Sequence, residues 1–83
     1  MSRMKLQVFS KDNCHHCVTA KNILKGNQIQ FEELEFGKNA DLNEFKESYP
    51  HVRSVPAFFV DGKYIGGSEK LNSIILMMEN ENE

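Results

Sequence analysis

The sequence predicts an α/β fold in which a mixed four-stranded sheet is flanked by three helices, and three observations lead there. Short runs of strand-forming apolar residues alternate with stretches of helical apolar spacing along the chain. Asp61-Gly62 stands between Ala57-Phe58-Phe59-Val60 and Lys63-Tyr64-Ile65, and that dipeptide suits the positive backbone angles of a tight hairpin turn. A chain of 83 residues, 40% of them hydrophobic, suffices for one modest core. A single domain over 1–83 is expected.

Taken in order, Leu6-Gln7-Val8-Phe9 is the first strand, and it stops at the polar cluster Ser10-Lys11-Asp12-Asn13. From Cys14 the spacing turns helical, with Cys17, Ala20, Ile23 and Leu24 on one side, until Gly26-Asn27 supplies a stop. Ile29 and Phe31 alternate with Gln28, Gln30 and Glu32, after which Leu34 and Phe36 continue with a one-residue offset. A second strand with an irregularity, paired with the first, accounts for this. Asp41 followed three residues later by Glu44 has the form of a capping box, and Leu42, Phe45 and Tyr49 mark one face of a second helix ending before Pro50. After the hairpin, Gly66-Gly67 breaks the strand and Ser68 is placed to cap a third helix. Its apolar stripe is Leu71, Ile74, Ile75 and Met78, and the tail Glu79–Glu83 is expected to fray. A strand-helix-strand unit of right-handed connection, then a helix and an antiparallel hairpin, is a thioredoxin-like arrangement with helices on both faces of the sheet.

Composition narrows the function. The formal charge of -2 is spread in both signs along the chain, so nucleic acid is not an expected partner. The start Met1-Ser2-Arg3-Met4-Lys5 is basic but leads into no apolar signal core, which points to the cytoplasm. The longest apolar run, Ile74–Met78, falls far short of the ~20 residues a membrane span needs, and no membrane partner is expected. The two cysteines lie too close together to act as a structural clamp. In a reducing compartment such a pair is catalytic or metal-binding.

Cys14-His15-His16-Cys17 follows a strand and opens a helix, which sets the first sulfur among unpaired backbone N–H groups. Such a setting lowers a cysteine pKa from about 8.5 into a range of roughly 3.5 to 7.5, and makes Cys14 the expected nucleophile. Cys17, one turn later and expected to be buried, is spaced to attack a mixed disulfide held on Cys14. Four consecutive residues rarely surround one tetrahedral ion, and His51 is the only further cysteine or histidine, so no metal site is predicted. His16 is the candidate for redox tuning, because a cationic ring beside a thiolate favours it.

Together with Ser10-Lys11 before the cysteine pair, Ser54-Val55-Pro56 before the hairpin and Gly66-Gly67-Ser68 after it, these features resemble the glutaredoxins over nearly the whole chain. The resemblance implies a glutathione-dependent thiol–disulfide oxidoreductase that reduces protein disulfides or glutathione mixed disulfides. Glutathione would be the co-substrate, with no permanently bound cofactor, and the protein a monomer. It also implies that Pro56 is cis and faces the cysteines, and that Val55 offers backbone groups to the cysteinyl part of glutathione. Gly67, Ser68 and Glu69 would set N–H groups around one substrate carboxylate, and Lys11 and Arg53 would meet the other. Three departures from the family pattern are His15-His16 in place of Pro-Tyr, Lys70 in place of an acid, and Ser54 in place of threonine. His16 instead stands at the position held by histidine in strongly oxidising thioredoxin-fold proteins with a Cys-Pro-His-Cys motif. Two alternatives stay open: a redoxin that feeds ribonucleotide reductase from thioredoxin reductase, and an iron–sulfur carrier in which Cys14 of two chains and two glutathiones hold a cluster.

Overall fold

The computed structural model describes residues 4–81. Strand β1 (Leu6–Ser10) buries Leu6, Val8 and Ser10 and half-buries Gln7 and Phe9 between them, the period-two pattern of a pleated strand. Helix α1 (His15–Gly26) follows, with Cys17, Ala20 and Leu24 buried on one stripe. Strand β2 (Glu32–Glu35) returns parallel to β1, in register from Gln7 opposite Glu32 to Ser10 opposite Glu35. Helix α2 (Leu42–Ser48) leads to β3 (Ala57–Val60), which runs antiparallel to β1 with Leu6 opposite Val60. β4 (Lys63–Gly66) closes the hairpin, and a single 3-10 turn, Ser68–Lys70, enters helix α3 (Leu71–Glu81). The sheet order is β2-β1-β3-β4. This is the mixed four-stranded sheet with three helices that the sequence predicts.

Two cores form because the pleat sends alternate residues to opposite faces. On one face Leu6, Val8, Phe58 and Val60 of the sheet pack with Ala20 and Leu24 of α1 and Ile74 and Met78 of α3. On the other, Ala57 and Phe59 pack with Phe45 of α2 and with Val52, and Phe9, Phe36 and Tyr49 lie against them. All four residues of β3 are buried, as befits a central strand covered on both sides. Each large side chain so buried contributes about 1.5–3 kcal/mol.

Local chemistry explains the element ends. Asp61 and Gly62 take φ of 52° and 83°, the positive angles predicted for the hairpin turn. Asp41 caps α2, its Oδ1 accepting the N–H groups of Asn43 at 2.8 Å and Glu44 at 3.2 Å. Among the described residues the Glu44 side chain returns no bond, so half of the predicted box forms.

The second strand is shorter than predicted. Gln28 adopts φ of 60°, the Gln28 N–H donates to the Lys25 carbonyl at 3.0 Å, and the Ile29 N–H donates to the Leu24 carbonyl at 3.0 Å. These two bonds make a Schellman end to α1, and Ile29 joins Leu24 in the core as its hydrophobic contact. The backbone of Ile29 therefore serves the helix, which is the reason for the offset in the apolar pattern. Ser68 is likewise not a side-chain cap: Gly67 occupies the cap position and no side-chain cap bond is made there. At the far end α3 runs through Glu81, so the chain is still helical where fraying was expected from Glu79, with Met78 buried just before it. Asn82 and Glu83 lie outside the described residues. No helix among the described residues is long and apolar enough to cross a membrane.

Candidate active site

Cys14 is the N-cap of α1, with extended backbone at φ -121° and ψ 104°. Its sulfur accepts the Cys17 N–H at 3.2 Å, one of the donors that a helix start leaves without an intrahelical partner. The two cysteines are joined in a disulfide with their Cα atoms 5.2 Å apart. They differ in access, Cys14 being half-buried and Cys17 only 1% exposed within the stripe that faces the sheet.

The segment before β3 reaches the same point. The Val55 carbonyl oxygen lies 3.9 Å from Cys14 Sγ, a contact without a proton because the disulfide sulfur carries none. The Val55–Pro56 peptide bond is cis, as the resemblance implies, and Pro56 is buried. Gly67 is also buried, and a Cβ built on it would stand 3.3 Å from the Pro56 carbonyl oxygen and 3.1 Å from Glu69 Oε1. Any side chain here would make the Pro56 backbone or the Glu69 carboxylate give by a few tenths of an ångström, so a glycine suits the close approach of the turn after β4. Glu69 folds back over that turn, its Oε2 accepting the Gly67 N–H at 3.1 Å. Hydrogen bonds from its own N–H and from Gly67 hold the Glu69 carboxyl below its ordinary value of 4.5.

Two surface grooves flank the cysteine. One, of about 420 Å³, includes Cys14, His15, Val18, Lys11, Lys21 and Lys38, with Asp12 and Glu35 among them. The other, of about 560 Å³, runs between α2 and the Pro50–Val55 segment, with Arg53, Ser54 and Val55 at one end. Lys11 belongs to both. The structure thus gathers Cys14, Cys17, Val55, Pro56 and Gly67 at one place, with Lys11 and Arg53 beside it. Ser68 and Glu69 are exposed on the adjoining turn. His16 is exposed too, and it is His15 that lines the groove next to Cys14. Lys46, Leu42 and Phe36 also line the larger groove, positions that the sequence marked only as helix or strand. The Ser10 hydroxyl, fully buried at the end of β1, has no hydrogen-bond partner among the described residues.

Residues 6–65, which span β1 to β4 and include both cysteines and Pro56, match the family model for glutaredoxins. This chain belongs to the glutaredoxin family. It is accordingly a thiol–disulfide oxidoreductase, with Cys14 and Cys17 as its bonded pair. Glutaredoxin 3 of Escherichia coli is 29% identical over 69 residues, covering 83% of either chain. The hybrid peroxiredoxin hyPrx5 of Haemophilus influenzae is 33% identical over 66 residues, covering 80% of this glutaredoxin but 27% of that protein. This chain therefore spans about a quarter of that relative's length. Among solved structures, a buckwheat glutaredoxin–glutathione complex superposes with a TM-score of 0.75 at 25% identity, covering 95% of this glutaredoxin and 80% of that chain.

Proposed function

We propose that this glutaredoxin reduces glutathione mixed disulfides and protein disulfides with glutathione as the reductant, Cys14 being the nucleophile and Cys17 the resolving thiol. The one-sided exposure of the pair carries this reading, since an incoming disulfide meets the half-buried Cys14 before the 1%-exposed Cys17. The Cys17 N–H that points at Cys14 Sγ stabilises a thiolate at the same position.

With a glutathione mixed disulfide, the Cys14 thiolate bonds the glutathione sulfur and the other thiol leaves as its thiolate, taking a proton from solvent. A second glutathione thiolate then bonds that glutathione sulfur, releasing oxidised glutathione and the Cys14 thiolate. With a protein disulfide, the protein is held on Cys14 until the Cys17 thiolate bonds Cys14 Sγ and expels the protein thiol. Two glutathiones afterwards reduce the Cys14–Cys17 bond.

Glutathione binding is assigned to the backbone of Val55 for the cysteinyl part and to Lys11 and Arg53 for one carboxylate. The other carboxylate is assigned to the Gly67–Glu69 turn, where it displaces the Glu69 side chain from the Gly67 N–H. The buckwheat complex supports glutathione as the ligand. A reducing compartment such as the cytoplasm is the setting in which this cycle turns.

Two variants test the assignment. Cys14→Ser abolishes turnover in a coupled assay of glutathione and glutathione reductase, because a hydroxyl is not an accessible anion at neutral pH. Cys17→Ser retains reduction of a glutathione mixed disulfide and loses dithiol reduction of a protein disulfide. An active Cys14 variant beside a dead Cys17 variant reverses the roles. Faster turnover with thioredoxin reductase than with glutathione removes glutathione as the donor.

A further inference from the structure

We propose that the larger groove docks the acidic and aliphatic residues flanking the cysteine of a protein substrate, with Lys46 as a specificity-determining residue. This rests on Cys14 being the residue that receives the substrate sulfur, and it extends that reading to the class of protein the enzyme selects.

The groove ends next to the reacting sulfur, since Val55 lines it and the Val55 carbonyl lies 3.9 Å from Cys14 Sγ. Its volume of about 560 Å³ is in the range of sites that hold several residues' worth of ligand. Charge distinguishes it from its neighbour. Lys11, Lys46 and Arg53 line it, no acidic residue does, and none of the three forms an ion pair among the described residues. In the smaller groove two of the three lysines are neutralised, Lys21 by Glu33 and Lys38 by Glu35. Three unpaired cations are a local concentration in a chain of net charge -2. Between them the walls are apolar, with Leu42 still 42% exposed on α2 and Pro50 exposed opposite it.

Lys11 and Arg53 have an occupant in glutathione itself. Lys46 does not: it sits in the last turn of α2, on the wall that faces the Pro50–Val55 segment, beside the open Leu42 surface. A partner that neutralises Lys46 while covering Leu42 is a longer chain, one carrying a carboxylate and an aliphatic side chain near its cysteine. Complementary charge at an exposed rim chiefly sets selectivity and capture rate, and it weakens with salt.

The test uses three short peptides that share a leucine and differ at one neighbouring residue, glutamate, glutamine or lysine. Each is made as its symmetrical disulfide, so that Cys14 receives the peptide's own sulfur, and again with alanine in place of its cysteine. For the wild-type enzyme at low salt, kcat/KM for the glutamate peptide exceeds that for the lysine peptide by about fivefold, through KM, as one exposed charge contact allows. The cysteine-free peptides rank in the same order by fluorescence anisotropy, a readout that needs no glutathione chemistry. Lys46→Glu inverts the ratio of glutamate to lysine peptide, and Lys46→Arg keeps it. Raising the salt brings the wild-type ratio toward one. Equal binding of the cysteine-free peptides, or an order left unchanged by Lys46→Glu, overturns the docking surface. Loss of glutathione-dependent turnover with the binding order intact would instead overturn the reading of the donor and leave the docking surface supported.

Discussion

Within the cysteine motif each side chain is told apart by where α1 begins. Cys14 is the cap, Cys17 is on the buried stripe, and His16 is exposed between them. A cationic His16 would favour the Cys14 thiolate, whereas the positive end of the helix dipole opposes the cation. An exposed charge interaction contributes about 0.2–1 kcal/mol, and about 30 mV of potential corresponds to 1.4 kcal/mol for a two-electron couple. His16→Tyr is therefore expected to lower the reduction potential by less than about 30 mV in equilibrium titration against glutathione. A larger shift would place the ring in direct contact with the thiolate, and no shift makes it a surface residue. Ser10 bears the opposite signature, a polar atom fully buried without a partner among the described residues. Leaving a hydroxyl unsatisfied costs about 1–3 kcal/mol. Ser10→Ala should thus stabilise the fold by about 1 kcal/mol, a rise in Tm of about 4–8 °C for a domain of this size. A fall in Tm would show that the hydroxyl has a stabilising role.

At the level of elements, the turn between β4 and α3 is held by an anion of its own. The Glu69 carboxyl titrates below 4.5 because its own N–H and that of Gly67 bond to the ionised form. Since the folded value is the lower one, the turn's contribution is fully present above the unfolded carboxylate value and is lost as pH falls through the folded value. The Gly67 amide resonance should move in an acid titration with a midpoint below 4.5, and Glu69→Gln should abolish that movement. A midpoint at or above 4.5 means that the carboxylate does not hold the turn in solution. The elements also differ in how openly the sequence announces them. Asp61-Gly62 makes its turn with the angles of its own two residues, so the hairpin is legible locally. Ile29 is not, because its backbone closes the Schellman motif while its side chain enters the core, and a period-two pattern registers only the side chain.

Over the whole molecule, the face under α2 depends on one cluster of rings. Phe45 sits 4.7 Å from Phe9, 5.2 Å from Phe36 and from Tyr49, and 6.0 Å from Phe59, measured between ring centroids. Removing its ring leaves a cavity under α2, the one helix among the described residues whose side chain enters that cluster. Phe45→Ala is expected to cost about 3–5 kcal/mol, a large share of the 5–15 kcal/mol typical of a domain. Urea unfolding with a loss below about 1 kcal/mol would show that the site refills. The cysteine pair and Pro56 were legible because their chemistry is written in adjacent residues. The larger groove was not, for its walls come from Lys11, from α2 and from Arg53–Val55, which only the sheet order brings side by side. That order also has a bearing on synthesis. β1 leaves the ribosome first, yet Leu6 meets Val60, so the strand at the centre of the sheet has only β2 beside it until β3 has been translated. At about 5–20 residues per second the first-made strand waits seconds for its second neighbour, and the pairing at the middle of the sheet forms only after the β1–β2 edge is already made.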